Sequence, residues 1–268
     1  MKIYTYIMIC DSGFAPNPYF GLCTLSCCKP KIRKEVTKCI FENFYIEFKS
    51  EKGCKRLTTD LKIKNNIDCL QGIKDYCNNG KLKSYIDFSE FIKSLEIYVV
   101  GIVGSRLKTN TVEEGSIVYI MQVTDIEDFF SYWENEKYSC KKPDEECFIK
   151  NADCSYSYKN CGDNIYELYR DKPSVTIHPS FHYYPGENFV GTISHDLSGE
   201  YVLISDNFIY YGTNATNAYK GKLHSGIGHS VLKDNHRLEQ FVSQELTKYD
   251  KRILGQPINS DVDFYWEE

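Results

Sequence analysis

Two apolar stretches, IYVVGIVGS at residues 97–105 and SIVYIMQV at residues 116–123, are the strongest indicators of the fold. Both are short and rich in β-branched residues, and the turn residues Glu114-Gly115 lie between them, so each stretch predicts a strand. Gly101 and Gly104 interrupt the first stretch and indicate a bulge or a close approach of another backbone.

The residues that follow add strands and helices in an irregular order. Residues 202–205 and 208–211 predict two more strands, and Thr124-x-x-Glu127 has the form of a capping box that opens a helix. Asp234 is the predicted N-cap of a closing helix. Regular helices do not alternate with these strands, which disfavours a doubly wound parallel sheet. The sequence therefore predicts an α+β protein with a strongly curved mixed sheet or a small β-barrel and flanking helices.

The rest of the chain predicts one domain over residues 1–254. The opening MKIYTYIMIC lacks a convincing cleavage site and is interpreted as a buried strand rather than a signal peptide. Residues 34–96 are Lys-rich with few Gly or Pro, and Asp87-x-x-Glu90 is typical of a helix start, so a mostly helical insertion is expected there. Residues 255–268 are interpreted as an acidic C-terminal tail.

Composition limits the class of protein. The net charge of −5 disfavours a general polyanion binder, although Lys29, Lys31, Arg33 and Lys34 form a local basic patch. The 22 Tyr and 15 Phe residues favour strands over a helical bundle. No run of about eighteen apolar residues occurs, so no membrane span is predicted. A cytoplasmic location is expected, where the 12 cysteines would be mostly reduced.

The sequence gives little support for a metal site or for a familiar catalytic motif. Cys140, Cys147, Cys154 and Cys161 are spaced evenly by seven residues, whereas structural zinc usually shows ligands paired two to four residues apart. No metal or cofactor is predicted. The four cysteines are interpreted as loop residues without a shared role, and the alternative is that they are zinc ligands. Walker, Gly-x-Ser-x-Gly and dinucleotide-binding motifs are absent.

Histidines offer an acid-base alternative. His178 and His182 are either surface residues or part of a polar cluster with His195-Asp196, where a carboxylate beside an imidazole could orient it as a base.

The segment Asp11–Arg33 is the predicted ligand-binding segment. Residues 14–21, FAPNPYFG, contain two prolines that restrict the backbone, so a rigid loop with outward-facing polar groups is expected. Cys23 lies close in sequence to Lys29 and Arg33, which could lower the pKa of a nucleophilic thiol or bind phosphate directly. The absence of a nearby base favours phosphate binding. Aromatic residues could stack on a base or simply pack in the core: Trp133, Tyr183, Tyr184, Tyr210 and Tyr211.

Several of these stretches together resemble the nucleotide modification associated domain, type two, of bacterial and phage proteins. The residues that carry the resemblance are Asp11-Ser-Gly-Phe-Ala-Pro-Asn-Pro18, Cys23-Thr-Leu25, Cys28-Lys-Pro-Lys-Ile-Arg33, Val100-Gly-Ile-Val-Gly-Ser105, Tyr132-Trp133, Gly162-Asp-Asn-Ile-Tyr166, His195-Asp196 and the run from Val202 to Gly212. In place of the family's Gly-Asp-Trp strand this chain has Glu96-Ile-Tyr-Val-Val, after an insertion of about sixty residues. By analogy at the level of the fold, the strand-Gly-strand centre is similar to PUA-like barrels.

The resemblance implies a role linked to modified nucleotides or bases, either free or within DNA. The leading hypothesis is a binding module, in which Lys29 and Arg33 contact phosphate. The remaining ligand-binding candidates are Asp11, Asn17 and Asp206 for polar edges, Trp133 and Tyr211 for stacking, and Cys23 and Asn164. The rival hypothesis is a transferase or hydrolase that acts on a base or nucleotide. Its candidate acid-base residues are Asp11, Asp163, His195, Asp206 and His229. A third interpretation assigns residues 34–96 to docking of a protein partner.

Overall fold

The computed structural model of the chain describes residues 1–143, 148–150, 156–158, 162–172, 174–178, 180, 190–219, 221–223, 228–233, 235–250 and 252–259. The strands are β1 Lys2–Met8, β2 Cys23–Leu25, β3 Ile97–Val103, β4 Ile117–Gln122, β5 Asp125–Asp128, β6 Phe148–Lys150, β7 Tyr156–Tyr158, β8 Tyr166–Leu168, β9 Val175–Ile177, β10 Tyr201–Ser205, β11 Asn207–Tyr210 and β12 His229–Lys233. The α-helices are α1 Pro30–Lys52, α2 Thr59–Asn65, α3 Leu70–Asn78, α4 Phe88–Ser94, α5 Phe129–Glu134, α6 Val190–Leu197 and α7 His236–Lys248. Across the described ranges, no helix combines the length and the apolar character needed to cross a membrane.

A five-stranded mixed sheet in the order β11-β4-β3-β1-β12 forms the centre of the fold. The two apolar stretches that predicted strands are β3 and β4, which pair antiparallel. Strand β1 lies parallel to β3 over its whole length, from Lys2 opposite Ile97 to Met8 opposite Val103. Because parallel neighbours need a long crossover connection, the chain between β1 and β3 can hold a helical segment. The predicted mixed α+β class is confirmed.

The central sheet is covered on both faces. In β3, Val99 and Val103 belong to the apolar cluster beneath α1, α3 and α4, whereas Val100 and Ile102 belong to the cluster beneath α7. Every residue of β3 is buried, which fits its nearly continuous apolar sequence. Alternation along the strand therefore places helices on each side of the sheet.

Gly101 permits a close contact within this sheet. The pairing of β3 with β4 shifts register between Gly101 and Ile102, so the predicted irregularity is present. A Cβ atom on Gly101 would lie 2.3 Å from the Tyr119 ring and 2.5 Å from the Met8 sulfur. Glycine is therefore required sterically at this position.

A second sheet, in the order β2-β10-β5, lies beside the first. The described strands do not close into a barrel, because β11 and β12 are the outer strands of the central sheet. A PUA-like barrel is therefore not supported. The third apolar cluster packs this second sheet against α5 and the β8–β9 hairpin, with Phe129 and Tyr166 in edge-to-face contact.

Local helix signals were partly right. Asp87 caps α4 by accepting from the Glu90 amide, as predicted. The capping box at Thr124 and Glu127 was wrong, because residues 125–128 pair with β10 and the helix begins at Phe129 with Asp128 as its N-cap. For α7 the capping side chain belongs to Asn235, while Asp234 lies outside the described residues.

The segment predicted as a helical insertion contributes to the main core. Helix α1 begins at Pro30, inside the Cys28–Arg33 motif, and its Phe44 and Phe48 pack in one cluster with Tyr6 of β1. The first residues of the predicted tail also pack: Ile258 is 9% exposed, and its amide donates to Asp11. The division of the chain into one domain with an added segment and a tail stays a prediction.

Candidate functional site

Asp11 lies in a buried hydrogen-bond network at the end of β1. It is 1% exposed and accepts from the Tyr210 hydroxyl at 2.7 Å (Oδ1) and 2.8 Å (Oδ2) and from the Ile258 amide at 3.1 Å. Its own amide donates to the Asn259 side chain. Burial raises the pKa of Asp11 to about 6, although these donors oppose the shift. The carboxylate thus joins β1, β11 and the C-terminal residues.

A second buried network connects Asn17 with Lys141. The fully buried Lys141 amine donates to the Asn17 backbone and side-chain oxygens at 3.0 and 2.7 Å and to the Leu22 carbonyl at 2.7 Å. Burial lowers the pKa of Lys141 to about 8. Sequence reasoning missed Lys141, because it lies within a polar, cysteine-bearing stretch that gives no signal of burial.

Asp163 and Asn164 are also inside the protein. Asp163 Oδ1 accepts from Thr24 and from the Tyr132 hydroxyl, each at 2.8 Å. The Asn164 side chain donates to the Tyr132 carbonyl at 2.6 Å. Both side chains are at most 1% exposed, so they position α5 and β2.

Arg33 holds the first turn of α1 against the second sheet. Its guanidinium donates to the carbonyls of Cys28 at 3.1 Å, Tyr201 at 2.8 Å and Asp196, and the residue is fully buried. Desolvation lowers the pKa of Arg33, with Asp196 among the groups that oppose the shift. The predicted phosphate contact remains untested, but the guanidinium faces protein carbonyls.

The neighbouring candidates Cys23 and Lys29 differ in exposure. Cys23 is fully buried, and desolvation raises the pKa of its thiol, so the protonated form is favoured. Lys29 is half-buried, with its amine 4.8 Å from the centre of the Tyr6 ring. We call residues 11–33 the motif segment, because they carry the first sequence motifs of the family resemblance. Much of this segment is buried.

The remaining acid-base candidates lie apart. The partly exposed Asp206 pairs with Lys93 at 2.9 Å, and His229 pairs with Glu35 at 2.9 Å. His195 is exposed near the end of α6, whereas its neighbour Asp196 is buried and accepts from the Cys28 amide and the Tyr166 hydroxyl. Together with Asp11 and Asp163, these groups belong to separate hydrogen-bond networks rather than to one pocket.

Several metal and aromatic candidates lie outside the described residues, namely Cys147, Cys154, Cys161, His182, Tyr183 and Tyr184. Within the described ranges, no group of three or more His, Cys, Asp or Glu side chains is arranged to hold a metal ion. Cys140 is exposed and reduced. His178 stacks on Trp133 with ring centres 4.4 Å apart.

A polar cleft opens at one end of the central sheet, where β4 begins and β11 ends. We call it the Tyr211 cleft; it has a volume of about 540 Å³. Its lining residues are Thr111, Glu113, Ser116, Tyr211, Asn214, Ala215, Thr216, Asn217, Tyr249 and Leu254. Backbone bonds between Ile117 and Thr216 join its two walls.

The apolar part of the Tyr211 cleft consists of two tyrosines together with Ala215 and Leu254. Tyr211 is buried, and its hydroxyl donates to Glu245 of α7. Tyr249 is half-buried and meets Tyr211 edge to face, with ring centres 6.4 Å apart. Because Tyr211 is held in place by α7, the cleft is preformed on one side.

Amides and a carboxylate form the polar part of the Tyr211 cleft. Asn217 donates to Glu113 at 2.8 Å, and Asn214 donates to the Leu254 carbonyl at 2.5 Å. Each amide can still accept through its oxygen and donate through its second N–H, and Glu113 has a second carboxylate oxygen that can accept. Of the predicted site residues that the structure describes, only Tyr211 lines this cleft.

The fold and site describe an α+β protein with a buried polar motif segment and a separate polar cleft. Residues 1–84 and 93–264 match the family model described as nucleotide modification associated domain 2. The chain belongs to this family, which is associated with nucleotide modification. The match continues through residues 34–84, so it includes helices α1 to α3. No curated protein and no solved structure matches the chain.

Proposed function

We propose that this protein is a binding module that recognises a nucleobase or nucleoside in the Tyr211 cleft. The observation that carries the proposal is the combination of the half-buried Tyr249 ring, in edge-to-face contact with the buried Tyr211, with amide and carboxylate groups in one concave site. Its volume of about 540 Å³ lies within the usual range for small-molecule sites. Membership of the family supports a ligand of the nucleotide class.

The polar groups of the cleft favour a base that donates hydrogen bonds. The Glu113 carboxylate can only accept, whereas Asn214 and Asn217 can accept through their oxygens and keep one N–H each after donating to protein oxygens. Carboxylate and amide oxygens accept well from the exocyclic amino groups of cytosine and adenine. The edge of an amino-bearing base is therefore the best complement to this wall.

Charge argues for recognition of the base rather than the phosphate. The described lining includes Glu113 but neither lysine nor arginine. A phosphate buried beside Glu113 would be repelled, because like charges at close range disfavour binding. The ligand is accordingly a nucleoside, a base, or a nucleotide whose phosphate points to solvent.

Binding is favoured over catalysis by the scatter of the acid-base candidates. General acid-base catalysis needs a titratable group within hydrogen-bond reach of the reacting atom. Asp11, Asp163 and His195 do not line the cleft. Glu113 is the carboxylate that would serve an enzyme at this site, so its substitution also tests the alternative.

The test is calorimetry with the four common deoxynucleosides and their base-methylated forms, using wild type and Glu113→Gln. We expect binding of an amino-bearing nucleoside, weakened by roughly tenfold or more in Glu113→Gln, the scale of one hydrogen bond to a charged group. The matched control is Glu114→Gln, an exposed neighbour outside the lining.

Two results would contradict the proposed site, and a third would show that the protein is an enzyme rather than a binding module. Absence of heat with every nucleoside at millimolar concentration would remove the proposed site. Equal affinity of Glu113→Gln and wild type would remove Glu113 from it. Mass spectrometry of the same mixtures addresses catalysis: conversion of the nucleoside by wild type but not by Glu113→Gln would establish an enzyme.

A further inference from the structure

We infer that the outer face of the β8–β9 hairpin binds single-stranded nucleic acid. The side chains concerned, which we call the hairpin row, are in spatial order Lys142, Trp133, His178, Glu167, Tyr169 and Lys172. None of these lines the Tyr211 cleft. The inference therefore stands independently of the proposed nucleoside site.

The hairpin separates its two faces by strand alternation. Tyr166 of β8 is buried against Phe129, with ring centres 5.5 Å apart. Successive side chains of a strand point to opposite faces, so Glu167 and Tyr169 lie on the outer face. The Tyr169 hydroxyl is 2.9 Å from the Thr176 hydroxyl across the hairpin, which fixes the ring on that face.

An aromatic ring lies beside a lysine at each end of the outer face. The Trp133 ring stacks on His178 at 4.4 Å with an interplanar angle of 19°. The Lys142 amine lies 4.2 Å from the centre of the Trp133 ring, and the Lys172 amine lies 4.0 Å from the centre of the Tyr169 ring. Each end of the hairpin row thus pairs one ring with one ammonium group.

This pairing fits one nucleotide at each end. Bases stack on aromatic rings irrespective of sequence, and the adjoining phosphate is attracted to a cation nearby. Lysine has a long flexible side chain, so Lys142 and Lys172 can move from the ring faces to phosphates while bases take their places.

Glu167 at the centre of the row favours a single strand over a duplex. It is 3.0 Å from His178 and brings a carboxylate between the two lysines. A duplex presents phosphates along its outside and would place them against this carboxylate. A single strand can turn a base toward Glu167 and keep its phosphates at the two ends.

The first test measures fluorescence anisotropy of a labelled twelve-nucleotide oligothymidylate at several salt concentrations. In the double variant Lys142→Gln/Lys172→Gln we expect roughly tenfold weaker binding at low salt and a log–log salt slope smaller by about 1.4, the value for two phosphate contacts on a single strand. The matched control Lys81→Gln/Lys108→Gln removes two exposed lysines elsewhere and should bind like wild type.

The second test uses fluorescence and leaves Trp133 itself intact. The chain has 2 tryptophans, so Trp266→Phe makes Trp133 the sole reporter. Stacking of a base on this ring should quench its emission as the oligothymidylate binds. The inference would be overturned by any of four results. Two concern binding: no binding of the oligothymidylate by wild type, or equal affinity of the Lys142→Gln/Lys172→Gln and Lys81→Gln/Lys108→Gln variants. The other two are Trp133 emission that is not quenched at saturation, and a duplex of the same length that competes as well as the single strand.

Discussion

The motif segment and the Tyr211 cleft differ in where their polar groups point. In the motif segment, Asp11, Asn17 and Arg33 are at most 1% exposed and bond to other parts of the chain. In the cleft, Glu113 and Asn217 are exposed and bond to each other. Charged and amide side chains of the motif segment thus form hydrogen bonds inside the protein, whereas the accessible cleft is lined by exposed polar side chains.

This contrast predicts that substitutions in the two regions affect different measurements. Buried hydrogen-bonded groups act on the free energy of unfolding, because their removal leaves partners unsatisfied. Exposed groups of a cleft act on ligand affinity, since surface substitutions rarely change stability by more than about 0.5 kcal/mol.

The largest expected effect is that of Arg33→Ala on stability. The substitution leaves the carbonyls of Cys28, Tyr201 and Asp196 without their donor and opens a cavity. We expect the free energy of unfolding to fall by about 3–5 kcal/mol, measured by urea denaturation. The control is Lys31→Ala at an exposed neighbour, whose free energy of unfolding should stay within about 0.5 kcal/mol of wild type.

A different outcome for Arg33 would break the comparison. If Arg33→Ala kept its stability and lost nucleotide affinity, the guanidinium would belong to a phosphate site, as the sequence had predicted. Calorimetry with a nucleoside monophosphate, run on the folded variant, separates these two results.

The second effect is a pH dependence of stability that arises from Asp11. Burial raises its pKa to about 6 in the folded protein, compared with about 4 in the unfolded chain. The protonated carboxyl is therefore the better tolerated form in the folded state. Its contribution to stability is fully present below about pH 4 and is lost as the pH rises through 6, by about 3 kcal/mol.

The measurement compares wild type with Asp11→Asn by urea denaturation between pH 4 and pH 7. The difference between the two free energies of unfolding isolates the Asp11 titration from that of the other carboxylates. We expect wild type to lose stability relative to Asp11→Asn as the pH rises. A constant difference over this range would show that the Asp11 pKa is not raised.

The sequence predicted the elements of the fold better than the residues of the site. The strands β3 and β4 were evident because short β-branched runs between turns have few alternatives. The capping box at Thr124 failed because pairing with β10 outweighed the local helix signal. Tertiary contacts of this kind are invisible to a pattern within one segment.

The candidate site was harder to predict for the same reason. The Tyr211 cleft joins side chains that are far apart in the chain, from residues 111–116 and 211–217 and from Tyr249 and Leu254, and of these only Tyr211 lies within a sequence block that resembles the family. The motif segment attracted attention through its cysteines, prolines and cations. Nothing local distinguishes an arginine that binds phosphate from one that, like Arg33, bonds to carbonyls.

The smallest expected effect is that of Asn217→Ala, and it tests the cleft side of the comparison most strictly. The Asn217 amide donates to Glu113 at 2.8 Å on an exposed surface, so its loss should change the free energy of unfolding by less than about 0.5 kcal/mol. Nucleoside affinity should fall about two- to tenfold, because Glu113 loses the group that orients it. The control is Asn110→Ala, exposed and outside the lining. A large loss of stability with unchanged affinity would make Asn217 a structural residue like those of the motif segment, and the distinction between the two regions would fail.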